Sequence, residues 1–195
     1  MGEFHIVGGK VLKGKVNITG GKNAILPILA SVVLSGEESV ITNCPNISDT
    51  HVASEILKSI GCTVSYDNNV LIVNSKNANN YNVPEKLVSE MRSSIIFMGG
   101  VIGRFKKCKI SYPGGCELGA RPIDLHLKGL RALGVDIKEE MGFIICQAKE
   151  LIGNKINLDF PSVGATENIM ITATLAKGET IIYNCAREPE IVDLQ

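Results

Sequence analysis

Ile60-Gly61-Cys62-Thr63-Val64 and Leu133-Gly134-Val135-Asp136-Ile137 predict the same corner of structure twice, in two successive rounds of the chain. In each, an apolar residue and a glycine lead into an alternating run, as at a helix end that feeds a strand. Before the first, Val52, Ile56 and Ile60 recur at helical spacing after Ser48-Asp49, which reads as a helix cap. Before the second, Pro122 opens an amphipathic stretch that runs to Leu133. After each comes a hairpin: Cys62 to Tyr66 with Val70 to Val73 around Asp67-Asn68-Asn69, and Gly134 to Glu139 with Phe143 to Gln147.

Further out, the same order returns. Ala24 to Leu34 is apolar on every side, with Pro27 acceptable only near a helix start. Ile95 to Ile102, opened by Arg92-Ser93-Ser94, and Gly164 to Ala176 are a second and third apolar helix. Gly99-Gly100-Val101-Ile102-Gly103 falls inside one of them and signals close helix packing, not a dinucleotide loop. Glu38 to Asn43, Lys109 to Ser111, Lys155 to Asp159 and Thr180 to Asn184 read as strands, and a last helix starts at Glu188. Asp49, Asp124 and Asp193 recur at similar intervals, one in the second helix of each round. A strand–helix–strand–helix–strand–strand unit, seen almost three times, predicts an α/β fold with pseudo-threefold symmetry. The apolar helices belong inside, with strands and amphipathic helices outside. The third unit is cut short, since the sequence stops at Asp193-Leu194-Gln195, as a fragment or an early terminator would. Glu3 to Val7 and Lys15 to Thr19 alternate like two further short strands.

The balance of 20 Lys+Arg against 20 Asp+Glu leaves no global field to draw in nucleic acid or an acidic membrane. Aromatic residues at 5%, with no tryptophan, argue against a base-stacking surface. Met1 to His5 lacks the pattern of a secretory signal, and no apolar run is long enough to span a bilayer. A soluble cytoplasmic protein is expected. Six cysteines without a C-x-x-C pair, and only three histidines, give no zinc spacing, and no metal or cofactor is expected. Cys62, Cys108 and Cys146 fall in strand-like runs and read as small core residues.

Cys116 differs, sitting in the glycine-rich loop Ser111-Tyr112-Pro113-Gly114-Gly115-Cys116-Glu117-Leu118-Gly119. The loop stops at Arg121-Pro122, where a helix start adds backbone N–H groups to a guanidinium and so suits a phosphate. Starts of corresponding helices should share one end of a repeat fold. Lys22-Asn23, Arg92, Arg121-Pro122 and Ser162-Val163-Gly164 fall at such starts, and three of the four carry a cation. Each cation alone also reads as a solvated or carboxylate-paired side chain; their recurrence at equivalent positions favours a shared anion site. Gly21-Lys22-Asn23 is no Walker A loop, because Asn23 replaces the required Ser/Thr. Acids in the first turn at Arg187-Glu188-Pro189-Glu190 match a helix dipole and could also hold a nearby lysine.

Taken together, Gly21-Lys22-Asn23-Ala24, the Pro113 to Cys116 loop leading to Gly119-Ala120-Arg121-Pro122-Ile123-Asp124-Leu125-His126, Ser162-Val163-Gly164-Ala165-Thr166 and Ala186 to Asp193 resemble the UDP-N-acetylglucosamine enolpyruvyl transferases. The likeness covers the whole chain and about the first half of the family's length. It implies two inside-out α/β barrels closing on substrate, with residues 1–20 belonging to the other barrel and 21–195 forming this one, incomplete at its C-terminus. It also implies transfer of enolpyruvate from phosphoenolpyruvate to the 3′-hydroxyl of UDP-N-acetylglucosamine, the committed step of peptidoglycan synthesis. The missing C-terminal half would be the partner that supplies the base and further arginines.

By that likeness Cys116 is the loop thiol that fosfomycin alkylates, and it attacks or protonates phosphoenolpyruvate. Lys22, Arg92 and Arg121 resemble the phosphate ligands, with Lys22 also catalytic, and Asn23 resembles the sugar contact. Pro122, Ile123, Asp124, Leu125 and His126, with Ser162, Val163 and Gly164, resemble the uridine-diphosphate pocket; Glu188 and Glu190 are expected as supporting residues. Phe160 stands where some members carry a lysine. The alternatives are the shikimate-phosphate enolpyruvyl transferases, which share the fold; RNA terminal phosphate cyclases, built from related repeats; and a sugar-nucleotide-binding half without catalysis.

Overall fold

A computed structural model describes residues 3–113 and 123–195. The first unit comprises α1 (Lys22–Ser31) with a 3-10 turn at Val32–Leu34, β1 (Glu38–Ile41), α2 (Ser48–Ser59), β2 (Thr63–Asp67) and β3 (Val70–Asn74). The second comprises α3 (Glu85–Glu90), a 3-10 turn at Arg92–Ile96 leading into α4 (Phe97–Phe105), β4 (Lys107–Ser111), α5 (Asp124–Ala132), β5 (Asp136–Glu140) and β6 (Phe143–Gln147). The third holds β7 (Lys155–Asn157), α6 (Val163–Ala173), β8 (Ile181–Tyr183) and α7 (Pro189–Leu194).

Register makes the repeat explicit. The antiparallel sheets β1-β3-β2 and β4-β6-β5 have the same strand order. Asp67 pairs with Val70 and Glu140 with Phe143, so the same rung closes the same hairpin in both units. β7 and β8 run parallel, and the isolated parallel bridge Asn82–Lys109 is their counterpart in the second unit. The paired corners have one cause. Gly61 (φ 98°) and Gly134 (φ 90°) are left-handed residues closing α2 and α5. Cys62 N–H reaches Leu57 O and Gly61 N–H reaches Lys58 O; Val135 to Leu130 and Gly134 to Arg131 repeat the pattern. Both helices therefore end in a Schellman motif, which any residue with a Cβ would strain. The hairpins turn on Asn68-Asn69 (φ 46° and 62°) and Met141-Gly142 (φ 49° and 80°), both with positive φ at two positions, as a tight two-residue turn requires.

The three apolar helices pack on one another at the centre, and the sheets and α2 and α5 lie outside them. Phe97 to Gly103 is buried throughout. The glycines of α4 allow this approach: a Cβ on Gly100 would stand 2.1 Å from Ala30 O of α1, and one on Gly99 2.5 Å from Asn168 Oδ1 of α6. Cys62, Cys108 and Cys146 are core residues, and burial pushes the first up to about 11 and the last up to about 12. They are inert thiols at neutral pH.

Three local expectations change. Residues 3–20 form no strand; Phe4, Ile6, Val7, Val11, Leu12, Val16 and Ile18 stand in solvent. Strands need a partner edge, and the link from this segment to the sheet region is Gly20 N–H to Asn43 O at 3.2 Å. Ser48-Asp49 does not cap α2: Ile47 is the N-cap, without a side-chain bond, and Asp49 is turned to Lys22 instead. Finally, α3 begins right after Pro84, where no helical period is visible in the sequence.

Candidate active site

Chain starts of the central helices open on one cleft of about 780 Å³. Lys22 is the first residue of α1 and Asn23 the second. Arg92 begins the 3-10 turn ahead of α4, and Ile123 precedes α5. Ser162 caps α6, its Oγ accepting from Ala165 N–H at 3.3 Å, and Val163 and Gly164 follow it. Glu188 is the residue before α7, and Glu190 lies in its first turn. All of these, with His126, line the cleft. The cleft thus collects the positive ends of several helices with two side-chain cations, which favours an anion.

Asp124 and Leu125 are not among the lining residues. Asp124 is exposed on the first turn of α5, and Leu125 packs with Leu133, Ile156 and Ile169. Cys116, Arg121 and Pro122 lie outside the described residues.

Lys22 Nζ is held by Asp49 Oδ1 at 2.7 Å. Glu188 and Glu190 therefore do not take the lysine. Glu190 Oε1 accepts from Asn23 Nδ2 at 3.4 Å, and Glu188 Oε2 from Arg187 N–H at 2.9 Å. Phe160 reaches the cleft wall and is largely exposed. The ion pair fixes where the Lys22 head sits at the mouth of the cleft, with half its side chain still open to solvent.

Two functional neighbours escape a reading by residue type. Glu167 lines the cleft, is 3% exposed, and its carboxyl is pushed up to about 7, first by burial and then by Glu190 and Glu188. Asn168 is fully buried and hydrogen-bonds His126 Nδ1 at 2.8 Å. The available signal was an adjacent acid and amide inside the otherwise apolar run Gly164 to Ala176. Burial also drives the His126 imidazole down to about 4, so at neutral pH it is an uncharged ring. Gly164 gives that ring room: a Cβ there would stand 3.1 Å from His126 Cε1.

Chemically, the wall combines cations, helix N-termini, an uncharged imidazole and a carboxyl that exchanges its proton near neutrality. That set can bind an anionic, oxygen-rich small molecule and steady charge that develops on it. No helix among the described residues is long and apolar enough to cross a membrane.

Among known proteins, the chain is 54% identical over 195 residues to UDP-N-acetylglucosamine 1-carboxyvinyltransferase 2 of Caldanaerobacter subterraneus subsp. tengcongensis. It is 53% identical over 196 residues to the protein of the same name from Clostridium tetani. Both matches take in 100% of this chain and 47% of the relative, so the chain spans about half the length of the curated relatives it matches. Among solved structures, the enolpyruvyl transferase NikO from Streptomyces tendae superposes with a TM-score of 0.83 at 21% identity, over 96% of this chain and 44% of that one. EPSP synthase from Acinetobacter baumannii gives 0.68 at 17% identity, over 95% and 43%. These two likenesses speak to fold, and they agree with the helices-inside repeat. The family model for EPSP synthase (3-phosphoshikimate 1-carboxyvinyltransferase) matches residues 6–195. This chain therefore belongs to the EPSP synthase family, whose members are carboxyvinyl (enolpyruvyl) transferases.

Proposed function

We propose that the cleft is one wall of a site that transfers enolpyruvate from phosphoenolpyruvate to the 3′-hydroxyl of UDP-N-acetylglucosamine, releasing phosphate. The observation that carries this reading is the meeting of Lys22, Asn23, Arg92, His126 and Ser162 to Gly164, drawn from separate elements, on one cleft. The relatives at 53% and 54% identity bear the name of that activity, which supports the choice of the sugar nucleotide over shikimate 3-phosphate.

The chemistry suits the residue types. Proton addition at the methylene carbon of phosphoenolpyruvate and attack by the sugar hydroxyl on the neighbouring carbon give a tetrahedral ketal. Loss of phosphate and of a methyl proton then restores the double bond. Lys22, Arg92 and Arg121 would grip the phosphate through both steps, and Cys116 would act as acid or nucleophile on its loop. Asn23 would meet the sugar, and Pro122, Ile123 and His126 with Ser162, Val163 and Gly164 would hold the uridine diphosphate. Glu188 and Glu190 would support the wall. In this reading the reaction is cytoplasmic and opens peptidoglycan synthesis. Residues 1–20 would pair with the second barrel, whose remaining parts bring the base. Their exposed apolar side chains fit that role. The 195-residue chain by itself would bind and not turn over.

Mass spectrometry after fosfomycin treatment tests the assignment. Opening of the epoxide by a thiolate adds the whole reagent once, at Cys116, and the adduct should be absent from Cys116→Ser. Adducts on other cysteines, or on none, in a chain joined to its C-terminal half would overturn it.

A further inference from the structure

The side chain of Asn168 is entirely buried on α6, and its amide has three partners. Oδ1 accepts from Gly99 N–H at 2.7 Å. Nδ2 donates to Ile95 O at 3.0 Å and meets His126 Nδ1 at 2.8 Å. A backbone N–H only donates and a backbone carbonyl only accepts, so the amide cannot be turned over without breaking both bonds. Its nitrogen therefore faces the imidazole, and His126 Nδ1 must be the accepting, unprotonated atom. The ring proton is left on Nε2. A doubly protonated ring would set N–H against N–H, and burial, which holds the ring well below its ordinary value, acts in the same direction.

Nε2 is also the atom near the cleft. The ring's Cε1–Nε2 edge runs beside Gly164, whose absent Cβ would lie 3.4 Å from Nε2, and both residues line the cleft. Among the described residues Nε2 has no hydrogen-bond partner.

We propose that Asn168 is a positioning residue: through Nδ1 it holds His126 in the Nε2–H tautomer, so that the cleft wall offers an N–H donor to an acceptor oxygen of the bound sugar nucleotide. The identity of the acceptor rests on the function proposed above; the tautomer does not. The consequence is a contact that selects a phosphoryl or carbonyl oxygen by hydrogen bonding without adding a further positive charge to the wall.

Long-range ¹H–¹⁵N spectra of the labelled chain read the tautomer directly, with His126→Gln to pick out its signals from those of His5 and His51. The wild-type ring should carry its proton on Nε2 from pH 8 to pH 5.5. In Asn168→Asp a carboxylate accepts from Nδ1–H, so the proton should move to Nδ1 and the ring should titrate at higher pH. Calorimetric affinity of that variant for UDP-N-acetylglucosamine should fall about tenfold at pH 8, one hydrogen bond's worth, and recover toward pH 6 as Nε2 is reprotonated. A merely structural defect would not recover with acid. If Asn168→Asp does not fold, the wild-type spectrum and Asn168→Ser carry the test. A wild-type proton on Nδ1, or a folded Asn168→Asp with unchanged tautomer and affinity, overturns the proposal. A wild-type ring with the proton on Nε2 but no affinity for the nucleotide supports the positioning role and defeats only the nucleotide reading.

Discussion

Glu167→Gln should make the chain more stable, by an amount that grows above pH 4.5 and is complete above about pH 7. In the folded chain this carboxyl is pushed from 4.5 to about 7 by burial and by Glu190 and Glu188. The unfolded chain thus loses the proton first as pH rises, and stability falls between pH 4.5 and about 7. The full gap corresponds to about 3 kcal/mol, since each pH decade is worth ~1.4 kcal/mol. The cleft is open to water, so screening reduces this to ~1–2 kcal/mol. The amide keeps the shape of the side chain and removes the charge. At pH 8, thermal unfolding of Glu167→Gln should come roughly 2–8 °C above wild type, using ~2–4 °C per kcal/mol for a chain of this size. At pH 5 most of that advantage should be gone. A melting difference that is the same at both pH values, or a loss of stability at pH 8, would refute the assignment of a buried, self-repelling carboxyl.

Gly100→Ala drives a Cβ to 2.1 Å from Ala30 O, so α1 and α4 must separate. Denaturant unfolding should show a loss of ~3 kcal/mol or more, against almost none for Gly8→Ala, whose Cβ would meet nothing within 4 Å. Gly134→Ala, at φ 90°, should cost ~1–2 kcal/mol by straining the Schellman turn, and an unchanged midpoint would remove the stated reason for the glycine. The Lys22–Asp49 pair is half exposed at the lysine, so Asp49→Ala should cost under ~1 kcal/mol, and less in high salt. A loss above ~2 kcal/mol, insensitive to salt, would make that pair part of the core instead of part of the cleft.

Much of the fold could be read along the chain because its causes are local and repeat. A glycine ending an amphipathic helix, with a hairpin turn soon after, means the same thing at Gly61 and at Gly134. The glycines of α4 were interpretable because an all-apolar helix has to be enclosed by neighbours. What depends on distant partners was not readable. Glu3 to Val7 alternates like a strand, yet pairing needs an edge that the described residues do not offer it. Asp49 looks like a cap until Lys22, at the start of the preceding helix, takes its carboxylate. The cations of the cleft were legible from their places at helix starts. Glu167 and Asn168 were not, because their roles come from burial beside Glu190 and His126, which the sequence holds far away.

Every role proposed for the cleft requires the sugar nucleotide to sit between the central helix starts. Titration calorimetry of UDP-N-acetylglucosamine into the chain, with wild type beside Asn23→Ala and Gly164→Val, measures this most directly. One site per chain should appear in wild type, weakened at least tenfold in both variants while their melting temperatures stay within a few degrees. Equal affinity in all three, with both variants folded, would contradict it.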